Sequence, residues 1–492
     1  MRQRATNERR ILVIRCNPVT ITISILMVIA CTFTATSAQR YFELLPVMCF
    51  IATIITSIFL LPRYLATKSI TLLFYTICCI LKFVLLPVVY SIAPITSISR
   101  YKPSLSSIND GILLMIYELV FVSVFVILFT HLKAKNSNSK TVRNRKNKLS
   151  SLLSENYLVI YVFIIVAFAL LLFYPGVRDK ISLGMISANT GYRLSTIEDS
   201  SLGVLVRQCV MVGIYSLFIV IAVKCRKGYE KLYSRLYYVI SLAVAIAVSM
   251  VIVSEARSSQ VYCGFAAIML LTTLYPEKRK ETIRILLIAI VIAGALLTVY
   301  KTFYAFLYSS YAEALSAASI TSKTFTLNLE IYLEGPIHYT ALIDLKNSGI
   351  SFGIGRFLFG FFRTVAGTNM LVKGFDIDTA SNLFNYLVTG NSANTGYLMP
   401  ITGVGYVYLG AILSPLFVCV VYRFAFYLEN MIKKSNTAFG IFFVSYVYIR
   451  TATCIICTNI NTILTQVSFI ALTAGVLYLD NKAVGKLIRR HT

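Results

Sequence analysis

Charged residues are scarce in this chain of 492 residues, since Asp, Glu, Lys and Arg together make up 13% of it. An average soluble protein carries about 25%. Apolar residues make up 57%, and the mean hydropathy is +0.76. This balance excludes an ordinary soluble globular protein.

Several signatures of chemistry are also missing. The sequence has three histidines, no phosphate-cradling P-loop, no His-Glu-x-x-His motif and no Cys/His cluster with zinc-ligand spacing. The eleven cysteines lie in or beside apolar segments, so no disulfide framework is predicted. For Cys454-x-x-Cys457, small apolar packing is favoured over a redox or metal role. We expect no metal and no cofactor.

Long apolar runs dominate what is present. About twelve segments approach the roughly 20 residues that a helix needs to cross a bilayer core. They are continuously apolar rather than alternating, which favours helices over a β-barrel. The sequence therefore predicts an all-α, polytopic integral membrane protein with about 12 transmembrane helices and one large late periplasmic loop. The predicted spans are 18–38, 42–62, 69–92, 111–132, 157–175, 203–223, 236–254, 260–275, 284–300, 397–421, 438–457 and 460–479.

Basic residues are distributed unevenly between the loops. One set of alternate loops holds 30 of the 46 Lys and Arg residues, and the other set holds 14. By the positive-inside rule the richer set faces the cytoplasm, which puts both termini there. The net charge of +26 is therefore mainly a topology signal, with membrane lipid as a partner, and no nucleic acid is expected.

The order of spans and loops divides the chain into three predicted regions. Residues 1–300 hold nine spans with short loops, and residues 301–395 form the large periplasmic loop with interfacial or re-entrant helices. Residues 396–492 hold the last three spans and a cytoplasmic tail. No repeat relates the halves of the chain, so an inverted-repeat transporter is not supported.

Two arginines in the long loop are candidates for substrate binding. Arg356 and Arg363 are seven residues apart, about two helical turns, in a phenylalanine-rich segment that resembles an interfacial helix. Arginine binds phosphate oxygens with a planar, permanently charged fork, which suits a pyrophosphate headgroup. The alternative is that both side chains extend to lipid phosphates without specificity.

Two further arginines lie in other predicted outer loops. Arg257 occupies a tight hairpin between two spans, where an ionisable residue is a functional candidate; its alternative is a local ion pair with Glu255. Arg193 lies in the loop 176–202 and is a further candidate for pyrophosphate binding, although ordinary solvated charge also explains it.

A general base is sought among the same outer residues. His338 is the only histidine there, and it follows Glu330 and Glu334 at intervals of four residues, with Gly335-Pro336 interrupting the phase. His338 or Glu334 could take a proton from an acceptor hydroxyl. The alternative is an exposed loop histidine.

Beyond its layout, the chain resembles the Wzy-type polymerases of O-antigen and capsule repeat units in short stretches. The outer hairpin Glu255-Ala256-Arg257-Ser258-Ser259 is similar to that family's small-residue and arginine signature before a span. The stretch Gly403-Val404-Gly405-Tyr406-Val407-Tyr408-Leu409-Gly410 resembles its entry to the span after the large loop. An Arg-x10-Gly pattern found in some members occurs twice, from Arg356 and from Arg363. It does not occur in the earlier loop from Arg193.

The resemblance implies a glycosyltransferase of the bacterial inner membrane that acts at the periplasmic face. Its substrate would be an oligosaccharide linked to undecaprenol through pyrophosphate, and undecaprenyl pyrophosphate would leave. The polymer would be an O-antigen of lipopolysaccharide or a capsular polysaccharide. Arg257, Arg356, Arg363 and Arg193 would bind the pyrophosphate. A chain-length regulator and a flippase would be partners.

Three other functions stay open. An O-antigen ligase shares the layout and the donor. A lipid-linked oligosaccharide flippase shares the substrate, but it should have two comparable halves and short loops. A channel or ion-coupled transporter should carry more charge within its spans than Lys82, Glu118 and Arg207.

Overall fold

The computed structural model describes residues 17–37, 42–136, 145–153, 155, 157–174, 177, 181–183, 201–253, 258–302, 321–372, 374–375, 377–391 and 397–491. Contacts divide the chain into two compact units. Unit 1 comprises residues 1–139, 320–427 and 450–464, and unit 2 comprises residues 140–319, 428–449 and 465–492.

Helices make up most of the described chain. The first ten are α1 (Pro18–Ser37), α2 (Leu45–Thr67), α3 (Ile70–Ile92), α4 (Leu105–Asn136), α5 (Arg145–Leu153), α6 (Leu158–Phe173), α7 (Ser201–Leu232), α8 (Arg235–Ser249), α9 (Ser258–Leu274) and α10 (Arg279–Thr302). The later helices are α11 (Ser322–Leu333), α12 (Pro336–Asn347), α13 (Ile354–Thr364), α14 (Ala380–Thr389), α15 (Ile401–Leu409), α16 (Leu416–Lys434), α17 (Ala438–Ala452), α18 (Ile460–Ile470) and α19 (Val476–His491).

Three π-helical turns interrupt this regular winding. They are Ile55–Leu60 in α2, Leu81–Leu85 in α3, and Ala471–Gly475 between α18 and α19. Short 3₁₀ turns occur at Pro276–Lys278 and Thr368–Val372. Two strands, β1 (Ile181–Leu183) and β2 (Val251–Val253), pair antiparallel within unit 2.

The membrane character that the sequence predicts is confirmed. Among the described residues, six helices are long and apolar enough to cross a bilayer, and four shorter apolar helices accompany them. The six are Pro18–Ser37, Leu45–Thr67, Ile70–Ile92, Ser106–His131, Gly203–Leu232 and Ile460–Val484. Twelve spans, the sidedness of the loops and the three-region division stay predictions.

One predicted span is wrong as a continuous helix. The sequence predicts a span over 397–421, but α15 ends at Leu409 and α16 begins at Leu416. Gly410 between them has φ of 82°, a left-handed conformation that glycine adopts without strain. Pro415 follows just before α16, where its missing N–H costs no helical hydrogen bond. Apolar composition alone does not register such a break.

In unit 1, the short helix α12 is well enclosed. It packs against α4, α14 and α15, and eight of its twelve residues are buried. Its contact with α4 is close at Gly111, where an added Cβ would lie 2.5 Å from Thr340 Oγ1 and 2.7 Å from the Pro336 carbonyl. A glycine is required there because any side chain would separate the two helices.

Unit 2 is built from consecutive helices that pack as neighbours. Helix α7 contacts α6 and α8, and α9 contacts α8 and α10. The ring of Tyr215 lies 5.4 Å from that of Phe442 and 5.3 Å from that of Tyr446, within the range of favourable aromatic pairs. Arg226 forms ion pairs with Glu230 and Glu277 within this unit.

Candidate functional site

The candidate site centres on the junction between α11 and α12. Helix α11 ends at Leu333, and Glu334 follows with φ of 52°. A left-handed conformation costs a residue with a Cβ roughly 1–2 kcal/mol. Gly335 caps α12, and Pro336 starts it at a position where proline is favoured. The Glu-Gly-Pro sequence thus ends one helix, reverses the local backbone and starts the next.

Glu330 bridges this junction. Its Oε1 accepts hydrogen bonds from the backbone N–H groups of Ile337, at 2.9 Å, and His338, at 3.1 Å. A carboxylate at a helix N-terminus is stabilised by these free N–H groups and by the helix dipole. The other oxygen, Oε2, accepts from the Tyr90 hydroxyl of α3 at 2.7 Å. Glu330 is therefore held from both sides while fully buried.

His338 has one nitrogen paired and one unpaired. Its Nδ1 lies 3.1 Å from Glu330 Oε1, while Nε2 is buried and has no hydrogen-bond partner among the described residues. The rings of Phe384 and Tyr397 lie 6.0 and 6.1 Å from the imidazole ring, centroid to centroid. That His338 could act as a base stays a prediction. The alternative of an exposed loop histidine is wrong, because the side chain is 0% exposed.

Tyr397, which is half-buried, is fixed through its backbone. Asn385 of α14 donates from Nδ2 to the Tyr397 carbonyl at 2.8 Å and accepts from the Tyr397 N–H at 3.0 Å. This pair of bonds sets the position of the tyrosine beside the imidazole.

A second buried network includes Tyr339, the residue of α12 that follows His338. Lys82, in the π-helical turn of α3, donates to Glu118 Oε2 at 3.2 Å, to the Tyr339 hydroxyl at 3.0 Å and to the Ile455 carbonyl at 2.9 Å. Tyr339 donates a short hydrogen bond to Glu118 Oε2, and Thr402 donates to Glu118 Oε1 at 2.8 Å. Every charge in this network has several partners, as buried charges require.

Glu334 lies in the same region. Its Oε1 accepts from the backbone N–H of Thr458 at 3.0 Å, and its side chain is 1% exposed. Burial raises the pKa of Glu334 to about 8, opposed by the nearby charge of Lys82 and by the bond from Thr458. A carboxyl group with that pKa can hold or release a proton near neutral pH.

The two arginines of α13 differ in their surroundings. Arg356 is half-buried, its guanidinium carbon lies 5.5 Å from the centre of the Phe352 ring, and its Nη1 is buried without a hydrogen-bond partner in the described part of the chain. Arg363 is exposed. Rings of Phe352 and Phe357 pack on Tyr408 of α15, which anchors the start of α13.

The helix carrying both arginines also exposes apolar side chains. Ile354 is 78% exposed, and Leu358, Phe361 and Phe362 are exposed as well. An amphipathic helix with free apolar and basic groups is typical of an interfacial position in a bilayer.

The remaining sequence candidates are not brought to this site by any described contact. Arg257 and Arg193 lie outside the described residues. Sequence reasoning missed Tyr90, Tyr339 and Thr402, which complete the two networks. The only signal for these residues in the sequence is that they are polar groups inside apolar segments. Because many such groups form hydrogen bonds within their own helix, that signal does not identify them. In the described residues, no group of three His, Cys, Asp or Glu side chains is placed to hold a metal ion.

Comparisons of this chain with protein-family models, with curated proteins and with solved structures find no match. The function must therefore be argued from the site itself. Within the described residues, the α11–α12 junction offers a buried histidine with one unpaired nitrogen and, in Glu334, a carboxyl group that can exchange a proton. Arg356 of α13 offers a partly buried guanidinium with an unpaired Nη1, and no described contact joins it to His338.

Proposed function

We propose that this protein is a membrane glycosyltransferase that joins oligosaccharide units carried on a lipid pyrophosphate, with the lipid pyrophosphate as leaving group. The observation that carries the proposal is Arg356, a guanidinium on an amphipathic helix whose buried Nη1 has no partner among the described residues. An unsatisfied buried donor costs about 1–3 kcal/mol. A phosphate oxygen would satisfy it.

The position of Arg356 suits a substrate whose reacting group sits at the membrane surface. Glycosyl transfer from a lipid pyrophosphate builds negative charge on the departing oxygen, and a preplaced arginine stabilises that charge. Arg363, about 10 Å farther along the same helix axis, is exposed and would contact the lipid-borne phosphate from the outer side. Arg257 and Arg193 remain proposed partners in the same role.

The reaction also needs a base for the acceptor hydroxyl. His338 is proposed for it because its Nε2 is unpaired among the described residues, and Glu334 is the second candidate because its pKa of about 8 allows proton exchange. In the proposed assignment the enzyme works at the periplasmic face of a bacterial inner membrane and makes O-antigen or capsular polymer. An O-antigen ligase would use the same groups on a different acceptor.

One observation favours a second candidate. Lys82, Glu118, Glu330, Glu334 and His338 are all buried in unit 1, and buried ionisable residues in membrane proteins often mark ion or proton pathways. Ion-coupled transport of the lipid-linked oligosaccharide would use them in this way. The glycosyltransferase is preferred because Lys82, Glu118, Glu330 and Glu334 already have protein partners, whereas two buried atoms left unpaired among the described residues, His338 Nε2 and Arg356 Nη1, suit a base and a phosphate-binding group.

The test is deletion of the gene in its host, followed by gel analysis of the surface glycan. Collapse of a long ladder to a single repeat unit is the expected result, and restoration of the ladder by the wild-type gene is the control. Loss of even the single unit would instead indicate a flippase or a ligase. An unchanged ladder would rule out a role for this protein in glycan assembly in that host.

A further inference from the structure

Glu330 was not among the residues expected to take part in the reaction, yet it has the most specific contact with His338. Its two oxygens accept three hydrogen bonds, one from the Tyr90 hydroxyl and two from backbone N–H groups, and Oε1 also lies 3.1 Å from Nδ1 of the imidazole. Both oxygens face donors, so the carboxylate acts only as an acceptor. The imidazole nitrogen that meets it must therefore donate.

This contact determines the tautomer of His338. With the proton held on Nδ1 by Glu330 Oε1, the neutral ring carries its lone pair on Nε2. That nitrogen is fully buried and has no partner among the described residues. A lone pair kept out of water and unpaired is costly to the fold, and a donor from a ligand would remove the cost.

We propose that Glu330 is a positioning residue that fixes the Nδ1–H tautomer of His338, so that Nε2 is the atom that takes the proton of the acceptor sugar hydroxyl. This inference rests on the proposed glycosyl transfer. In that step the acceptor oxygen forms the new bond to the anomeric carbon. The bond from that carbon to the pyrophosphate oxygen breaks with its electron pair on the leaving group, and the hydroxyl proton passes to Nε2.

The surroundings of the imidazole agree with this role. Glu330 and Tyr90 belong to separate helices, and the two backbone donors belong to a third segment that begins α12, so the carboxylate cannot turn without breaking several bonds. The rings of Phe384 and Tyr397 also lie beside the imidazole. Tyr397 is the half-buried member of that pair, and Phe384 is fully buried.

The first test needs no activity assay. The chain has three histidines, His131, His338 and His491, so protein labelled with ¹⁵N-histidine in nanodiscs gives three pairs of ring signals. His131→Gln and His491→Gln assign two of them. We expect the neutral His338 ring to show a protonated Nδ1 and an unprotonated Nε2. A protonated Nε2 in the neutral ring would overturn the proposal.

The second test is a double-mutant cycle on transfer by purified protein. Glu330→Gln keeps the shape and an oxygen acceptor but loses the charge, and charge-assisted hydrogen bonds are roughly twice as strong as neutral ones. We expect a fall in kcat of about tenfold with little change in KM. In a His338→Ala background, the same change should have no further effect on kcat, because a residue that acts through another cannot act without it.

Glu118→Gln is the matched control for structural damage, since Glu118 is equally buried and has no described contact with His338. It should leave the His338 tautomer unchanged. If the fall in kcat of the double variant equalled the product of the falls caused by Glu330→Gln and His338→Ala alone, the positioning role would be overturned. If the protein transfers no sugar at all, the proposed function fails, while the tautomer measurement still tests the contact by itself.

Discussion

Lys82 and Glu118 form an ion pair of 3.2 Å in which the two side chains are 0% and 2% exposed. Removing two charges from water costs several kcal/mol each, and their attraction alone does not offset this. The pair is stable here because Tyr339, Thr402 and the Ile455 carbonyl supply the remaining hydrogen bonds. The pair therefore belongs to a network whose members depend on one another.

Breaking this pair from one side should be severe. We expect Lys82→Met or Glu118→Gln to lower the free energy of unfolding by about 3–5 kcal/mol, because each leaves a buried charge without its partner. The double variant should lose less than the two single effects added together. Thermal unfolding of the purified protein in detergent measures all three.

The more exposed pair of Lys278 and Glu281 provides the comparison for this experiment. Its side chains are 27% and 47% exposed, and exposed ion pairs contribute about 0–1 kcal/mol. If Lys82→Met lowered the free energy of unfolding no more than Lys278→Met does, the buried network would not stabilise the fold as described above.

The close approach of Gly335 to Glu330 leads to a second prediction. A Cβ at Gly335 would lie 1.8 Å from Glu330 Oε2 and 2.6 Å from its carboxyl carbon. Gly335→Ala should therefore displace the carboxylate from Tyr90 and from the start of α12. We expect a loss of about 1–3 kcal/mol for the buried donors left unpaired, together with a loss of transfer activity.

Gly355 in α13 is the control for this substitution, because nothing lies within 4 Å of a Cβ placed there. Gly355→Ala should be neutral or should stabilise the helix by up to about 1 kcal/mol. The melting temperatures and the His338 ring signals of the two variants are compared. Together they distinguish displacement of the Glu330 carboxylate from a general effect of alanine. Equal melting temperatures for Gly335→Ala and the wild type would contradict the clash.

Arg356 should not tolerate lysine. Lysine keeps the positive charge but loses the planar fork that binds two phosphate oxygens at once. We expect Arg356→Lys to reduce the transfer rate by about tenfold or more, since charged hydrogen bonds contribute about 1.5–3 kcal/mol each. The measurement is the rate of polymer formation from a purified lipid-linked acceptor and donor.

Arg423→Lys is the matched control, because Arg423 is an exposed residue of α16 without a proposed role. Its rate should equal that of the wild type. A full rate for Arg356→Lys, at an unchanged melting temperature, would argue against pyrophosphate binding by this side chain.

Glu334 should make stability depend on pH. The pKa of its carboxyl is raised from 4.5 to about 8, mainly by burial. Between these two values the folded chain keeps a proton that the unfolded chain releases, so the free energy of unfolding falls as pH rises from about 4.5 to about 8. We expect the melting temperature to drop by several degrees between pH 6 and pH 8.5.

Two variants identify the source of that drop. Glu334→Gln mimics the protonated side chain and should flatten the pH profile, whereas Glu43→Gln, at an exposed position, should not. Glu155, whose pKa burial raises to about 7, contributes in an overlapping range, so the difference between Glu334→Gln and wild type is the quantity to compare. If the melting temperature of Glu334→Gln fell with pH as steeply as that of the wild type, the result would contradict the raised pKa of Glu334.

Much of the fold follows from the sequence because apolar length is a local property. The six long apolar helices lie where continuous runs predict them, within a few residues at most ends. The break between α15 and α16 was missed because Gly410 and Pro415 change the backbone without lowering the hydropathy of the window. A long apolar window does not require a single helix.

The candidate site was only partly predictable for a different reason. The sequence singled out His338 and Glu334 as polar groups near a helix break, and it singled out Lys82 and Glu118 as charges inside spans. Spacing along the chain cannot bring together residues that lie 36 positions apart, as Lys82 and Glu118 do, or 257 positions apart, as Lys82 and Tyr339 do. Nor could spacing show that Glu330 reaches over the Gly335-Pro336 break, since the break itself obscures the helical phase.

The π-helical turn Leu81–Leu85 has a consequence for how this protein can change. Lys82 lies within the turn and faces the Glu118 network, while Tyr90 lies on the same helix beyond it and holds Glu330. Each residue of an α-helix advances the direction of the next by about 100°. Deleting one residue of the turn other than Lys82 would therefore swing Tyr90 away from Glu330 while leaving every side chain of both networks present. The spacing of this helix is under constraint as much as its composition, so its homologues should accept substitutions here more readily than insertions or deletions.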